Sequence, residues 1–260
     1  MIKITKLPEP AGLIQYKGDK QPQDRQSYDK DSLSFKDYSI CTGELSEDCY
    51  STNEKESAFT ELRKQLLKEQ KYVCCYCGKA IPYLFNEHGS PQMKTEHFEP
   101  KSIETALQLE YKNLLASCLG NSEPNNKAKK HCDSSKGKEK LNHIKNPASP
   151  EFSPVFDYEV FHQLKRVEVI PIKTHIEKKG IKNDIGKNYL NLNVDSLCER
   201  RYVYFKVEVT KELGIDEDKW LKNEVQTLLQ KYEDKCNDEK LPAFYDMITT
   251  YLQEWLQKHT

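Results

Sequence analysis

The run KTEHFEPKS (residues 94–102) sets His97 directly after Glu96, with Pro100 three residues beyond and Lys101 and Ser102 closing the stretch. It follows CCYC (residues 74–77) and precedes YKNLLASC (residues 111–118) and HCDSSKGK (residues 131–138). Adjacent residues on an extended segment point to opposite sides. Glu96 therefore grips a metal while His97 faces water or substrate only if the strand curves there. Asp133 offers a second carboxylate, and Lys136 lies on its side if HCDSSKGK starts a helix. Such an oxygen-rich pair suits a hard divalent cation such as Mg2+ beside an imidazole.

Cysteine spacing supplies the frame for these segments. Cys74 and Cys77 form a Cys-x-x-Cys knuckle followed by Gly78, so that two thiolates point at one ion while the backbone turns beneath them. Cys118 and Cys132 are the natural second pair. Four such ligands predict a structural zinc, whose binding contributes on the order of 10 kcal/mol to ordering a segment poor in apolar residues. Cys75 inside the knuckle and His131 beside Cys132 are competing ligands. Cys41, Cys49, Cys198 and Cys236 are read as ordinary thiols, and His88, His143, His162, His175 and His259 as surface or packing residues. Nine cysteines are an odd number in a chain of 260 residues, and their clustering favours metal over a secreted disulfide framework.

Composition sets outer bounds. The length allows one large domain or two small ones, and 37% hydrophobic residues is enough for a modest core. Mean hydropathy is −0.84, and no run approaches the roughly 20 apolar residues of a membrane span. The start, MIKITKLPEPAG, lacks the apolar core of a signal peptide, so a cytoplasmic protein without a membrane partner is expected. A formal net charge of −1 argues against a uniformly cationic nucleic-acid binder. Residues 127–145 nevertheless hold seven lysines against Asp133 and Glu139, and residues 211–260 hold seven lysines against eleven acids. The first stretch suits phosphate and the second avoids it.

Residues 1–55, rich in Pro, Gln, Asp and Ser, are expected to form an extended arm. TNEKESAFTELRKQLLKEQ predicts a helix, capped by Thr52 or Asn53, with Phe59, Leu62 and Leu66 on one face. FDYEVF and KRVEVIPI suggest a hairpin. VDSLCERRYVYFKVEV alternates like a strand at Val203, Phe205, Val207 and Val209, yet Leu197 and Arg201 fit helical spacing, and a helix is favoured. Leu221, Val225, Leu228 and Tyr232, then Phe244, Met247, Tyr251 and Trp255, predict a helical hairpin whose second helix holds Pro242 in its first turn.

Taken together, Glu96-His97, Asn113 in YKNLL, and Asp133 with Lys136 resemble the HNH endonucleases. The resemblance covers about residues 72–140, and many members interleave the same pattern with two cysteine pairs. It implies a ββα-metal core, placed with the four-cysteine zinc site at 56–147. With the periodicity of the remainder this gives an α+β chain whose residues 148–260 form a mainly helical region, a candidate docking surface for a partner along with the N-terminal arm. By position, His97 would be the general base, and Glu96 and Asp133 would hold catalytic Mg2+ or Mn2+. Asn113 would fix the loop bearing His97 by a side-chain to backbone hydrogen bond, and Lys136 would contact phosphate. Glu96 stands where Asp is more usual, and Asp133 where His or Asn is. YCGKAIP, EHFEPKS, YKNLLASC, CDSSKGK and YLNLNVDSLCERR further resemble the PtuB-like effectors of Septu and of some retrons, over roughly residues 72–201. That likeness implies a toxic anti-phage nuclease acting on DNA or RNA, and a PtuA-like ATPase partner. In retron versions a reverse transcriptase with its multicopy single-stranded DNA joins them. The chain has no GxxxxGK[ST] phosphate loop, so nucleotide gating would come from a partner. The competing expectations are a catalytically idle zinc module that binds nucleic acid or assembles a complex, and a nuclease acting on structured RNA such as tRNA.

Overall fold

Short pairing segments and apolar helix faces set the architecture. The computed structural model describes residues 1–19, 58–82, 92–121, 129–173 and 175–259. The cap residues Thr52 and Asn53, together with Cys41, Cys49, His88 and Lys127, lie outside them.

Helix α1 (Ala11–Asp19) replaces part of the expected extended arm and packs on α2 (Ala58–Glu69). Leu62, Leu66 and Leu67 of α2 are completely buried, each contributing about 1.5–3 kcal/mol by leaving water. The arm is anchored by charge as well, since Lys6 Nζ donates to Glu69 Oε2 and to the Leu114 carbonyl, both at 2.8 Å. Strands β1 (Lys94–His97) and β2 (Leu114–Ser117) pair antiparallel, with Glu96 opposite Leu115 and His97 opposite Leu114. The Gln70 side chain bonds both the N–H and the carbonyl of Ala116, at 2.7 and 2.8 Å. Backbone groups of β2 that no strand pairs are satisfied in this way. A single-turn helix α3 (Asp133–Lys136) follows.

The hairpin expected from FDYEVF and KRVEVIPI forms as β3 (Phe156–Phe161) and β4 (Arg166–Pro171). After α4 (Lys178–Asp184), the ambiguous stretch is helical: α5 (Asp195–Phe205) runs through a π turn (Lys206–Thr210) into α6 (Lys211–Leu213). Phe205 and Val209 point inward and are fully buried, whereas Val203 and Val207 are exposed. One helix thus explains a pattern that alternation alone reads as a strand.

Helices α7 (Lys222–Asp234) and α8 (Tyr245–Lys258) pack together as the C-terminal hairpin. Pro242 precedes α8 instead of lying in its first turn, because Phe244 takes a left-handed conformation (φ 54°) that delays the helix to Tyr245. Edge-to-face packing of Phe205 on Tyr251, 4.8 Å between ring centroids, joins α5 to α8. One buried apolar cluster extends from Met1 to Trp255 and draws on all three sequence regions. No described helix is long and apolar enough to cross a membrane.

Candidate metal centre and active site

The knuckle closes through backbone hydrogen bonds from Gly78 N to the Cys74 carbonyl and from Cys74 N to the Lys79 carbonyl. Gly78 sits at φ +69°, and a Cβ there would stand 2.7 Å from Asp246 Oδ1. β2 delivers Cys118, and Cys132, held at φ 55°, delivers the fourth thiol at the start of α3. The four sulfurs lie within 4.8 Å of one another and are buried. Cys74 and Cys132 are 3.8 Å apart, Cys77 and Cys118 3.9 Å. Metal–sulfur bonds of about 2.3 Å in a tetrahedron require a sulfur–sulfur edge of about 3.8 Å, so the donor set fits a tetrahedral thiolate-bound ion. Burial pushes the Cys74 thiol up, but hydrogen bonds from Cys118 and Cys132 outweigh it and bring Cys74 well below its ordinary value. Hydrogen bonds from Cys118 and Cys132 lower Cys77 to about 6.

Two competing ligands take other places. Cys75 is outside the four-sulfur group, and burial pushes its thiol well up. His131 Nδ1 lies 3.2 Å from Cys132 Sγ and 3.9 Å from Cys118 Sγ. It is a hydrogen-bonding neighbour of the sulfurs, the arrangement that orients ligands from behind.

Glu96 and His97 leave β1 in opposite directions. Glu96 is 1% exposed; its Oε1 accepts from the Tyr76 hydroxyl at 2.6 Å and from Lys136 Nζ at 2.5 Å. Burial and the neighbouring Asp133 raise Glu96 well above the usual carboxylate range, against the lowering effect of the Lys136 ammonium. Asp133 also pairs with Lys94 at 3.2 Å. Burial alone would raise Asp133, but the bonds to Glu96 and Lys94 bring it below its ordinary value.

Lys136 is 1% exposed, and its Nζ also donates to the His97 carbonyl at 2.8 Å. The ammonium assigned by position to phosphate is thus turned inward. It links Glu96 to the backbone of His97. The other lysines of residues 129–145 are not a uniform cationic face either, since Lys140 pairs with Glu99 at 3.0 Å and Glu104 at 3.2 Å.

His97 is 8% exposed, with Nε2 2.9 Å from the Gln108 carbonyl. Nε2 must carry the proton to donate there, which makes Nδ1 the basic nitrogen. Burial lowers the imidazole to about 4, so it is neutral at pH 7. Asn113 pins the following loop: Oδ1 accepts from Glu99 N at 2.7 Å, and Nδ2 donates to the Glu99 and Leu107 carbonyls, each at 3.0 Å. The His97 ring does not join Glu96 and Asp133 as a three-ligand cluster; among the described residues the four cysteines alone do so.

Tyr76, Lys94 and Gln108 belong to this site although sequence reading left them unassigned. Tyr76 carried a signal, its place inside the Cys-x-x-Cys knuckle. Gln108 contributes only a carbonyl, which every residue has.

No family model matches the chain. It is 34% identical over 77 residues to an Escherichia coli protein provisionally named as the HNH endonuclease of retron Ec83. The aligned part is 28% of this chain and 28% of that relative, so the likeness covers a part and not the whole of either protein.

Proposed function

We propose that the protein is a metal-dependent HNH endonuclease hydrolysing phosphodiester bonds in nucleic acid, with structural Zn2+ on Cys74, Cys77, Cys118 and Cys132. The observation that carries this reading is the pair of carboxyls at Glu96 and Asp133, held by Lys136 at 2.5 Å and by Lys94 at 3.2 Å, beside His97, whose imidazole is oriented by the Gln108 carbonyl. Two neighbouring carboxyls supply the oxygen donors that a hard divalent cation takes. Glu96 and Asp133 would hold Mg2+ or Mn2+, which supplies charge stabilisation at the phosphate and the leaving 3′ oxygen.

His97 then takes the proton from the attacking water at Nδ1 while Nε2–H stays on the Gln108 carbonyl. Asn113 keeps the loop after His97 in place. Lys136 and Lys94 neutralise the carboxylates and must yield charge to the cation. With the catalytic ββα unit formed by β1, β2 and α3, the same reading extends to a cytoplasmic anti-phage effector of the PtuB kind. It would be licensed by a PtuA-like ATPase, with reverse transcriptase and multicopy single-stranded DNA in a retron setting. The retron part is supported by the name of the Escherichia coli relative.

The test is cleavage of supercoiled plasmid and of tRNA with Mg2+ or Mn2+, comparing wild type with His97→Ala, alone and with the co-purified partner. Metal-dependent cutting by wild type alone supports the reading, and the preferred substrate separates DNA from RNA. Equal cutting by both proteins removes His97 from the mechanism. No cutting by either, with zinc bound, favours an idle zinc module.

A further inference from the structure

α5 and the π turn leave one helical face apolar and uncovered. Val203 and Val207, one turn apart, are 62% and 53% exposed, and Leu164 on the turn between β3 and β4 is 67% exposed. With Tyr202 they line a groove of about 910 Å³. β-branched side chains gain nothing from exposure on a helix, where they lose rotamer freedom without packing in return. Lys165, Lys206 and Lys211 border the groove against a single Glu199. None of the three lysines forms a salt bridge with a described carboxylate. The nuclease reading uses none of these residues.

We propose that this groove receives an amphipathic helix of a partner protein, one with an apolar seam flanked by carboxylates. The occupant is a helix because the groove follows α5 and the π turn, whose side-chain ridges accept another helix's ridges. A helical surface has no free backbone edge to which a strand could add. The span from Glu199 to Lys211 corresponds to about 18 Å, or roughly three turns of an occupant. Acidic flanks follow from three cations that no described carboxylate pairs, around an apolar floor. A concave site favours an inserted helix over a bilayer, which engages convex amphipathic faces. The π turn widens the helix at Val207, and such bulges are frequent at functional sites.

The test uses the full chain and two fluorescent peptides of about four turns. One has a leucine seam with glutamates elsewhere, and the other replaces every glutamate by lysine. Fluorescence anisotropy is expected to show the acidic peptide binding at least about tenfold more tightly than the basic one. Val203→Glu with Val207→Glu, and separately Leu164→Ser on the turn, should each weaken it by about tenfold or more with an unchanged unfolding midpoint. Lys206→Glu with Lys211→Glu should reverse the peptide preference. Failure of the acidic peptide to bind, or binding that ignores charge or all three sets of changes, overturns the proposal. It is overturned equally if the same variants abolish binding to phosphatidylcholine–phosphatidylglycerol vesicles, or abolish a concentration-dependent dimer, while leaving the acidic peptide bound.

Discussion

Glu96 and His97 show how much one peptide bond separates. The glutamate is drawn into a buried set with Tyr76, Lys136 and Asp133, while the imidazole turns to the Gln108 carbonyl. Removing the imidazole by His97→Ala should lower cleavage by about 10²–10⁴-fold, the range for losing a general base, with zinc content unchanged. Asn113→Ala should cost about 3 kcal/mol in urea unfolding, because it strands the Glu99 N–H and two carbonyls. Asn113→Asp should not recover that loss at neutral pH, because it sets a second acceptor oxygen against the Glu99 and Leu107 carbonyls. The residue types at these positions were legible in KTEHFEPKS and YKNLL. The inward turn of Lys136 was not, because a lysine at a helix end carries no sequence mark of whether its ammonium faces water or a buried glutamate.

Among the elements, the knuckle is the most demanding. Gly78→Ala should destabilise the protein by about 2 kcal/mol or more, since it places a Cβ against Asp246 at a left-handed backbone position. Thermal unfolding reads this directly. On the β3 hairpin, Asp157 faces Glu254 from α8. Partial burial and the bond to Glu254 raise Asp157 to about 6. A carboxyl raised on folding binds more protons folded than unfolded, so its contribution is full below pH 4 and fades as pH rises from about 4 to 6. Asp157→Asn should therefore stabilise the protein at pH 7 relative to pH 4, by under about 1 kcal/mol once solvent screening is allowed for. Helix periodicity revealed α2, α7 and α8 because their apolar steps are regular. It left α5 ambiguous because Val203 and Val207 are apolar yet exposed. It missed α1, whose short run of mixed residues has little contrast between faces.

Across the whole molecule, segments distant in sequence meet at the four sulfurs. Cys132 N donates to the Leu190 carbonyl at 2.8 Å, and Asn191 Nδ2 donates to the Lys130 carbonyl at 2.7 Å. The stretch YLNLN thereby braces Cys132, the fourth cysteine of the cluster, from the C-terminal half. Buried Arg201 follows on the same route, donating to the Leu192 carbonyl at 2.8 Å. These long-range braces are illegible in sequence because they run through backbone carbonyls. Cys77→Ser should remove the metal and, with it, a binding energy comparable to the whole stability of a domain, leaving an aggregation-prone chain.

The measurement that tests the central claim most directly is zinc-edge X-ray absorption on protein purified without chelator. One zinc per chain with four sulfur neighbours at about 2.3 Å is the result the account predicts. A chain that carries no zinc, or zinc bound mainly through nitrogen and oxygen, would contradict it.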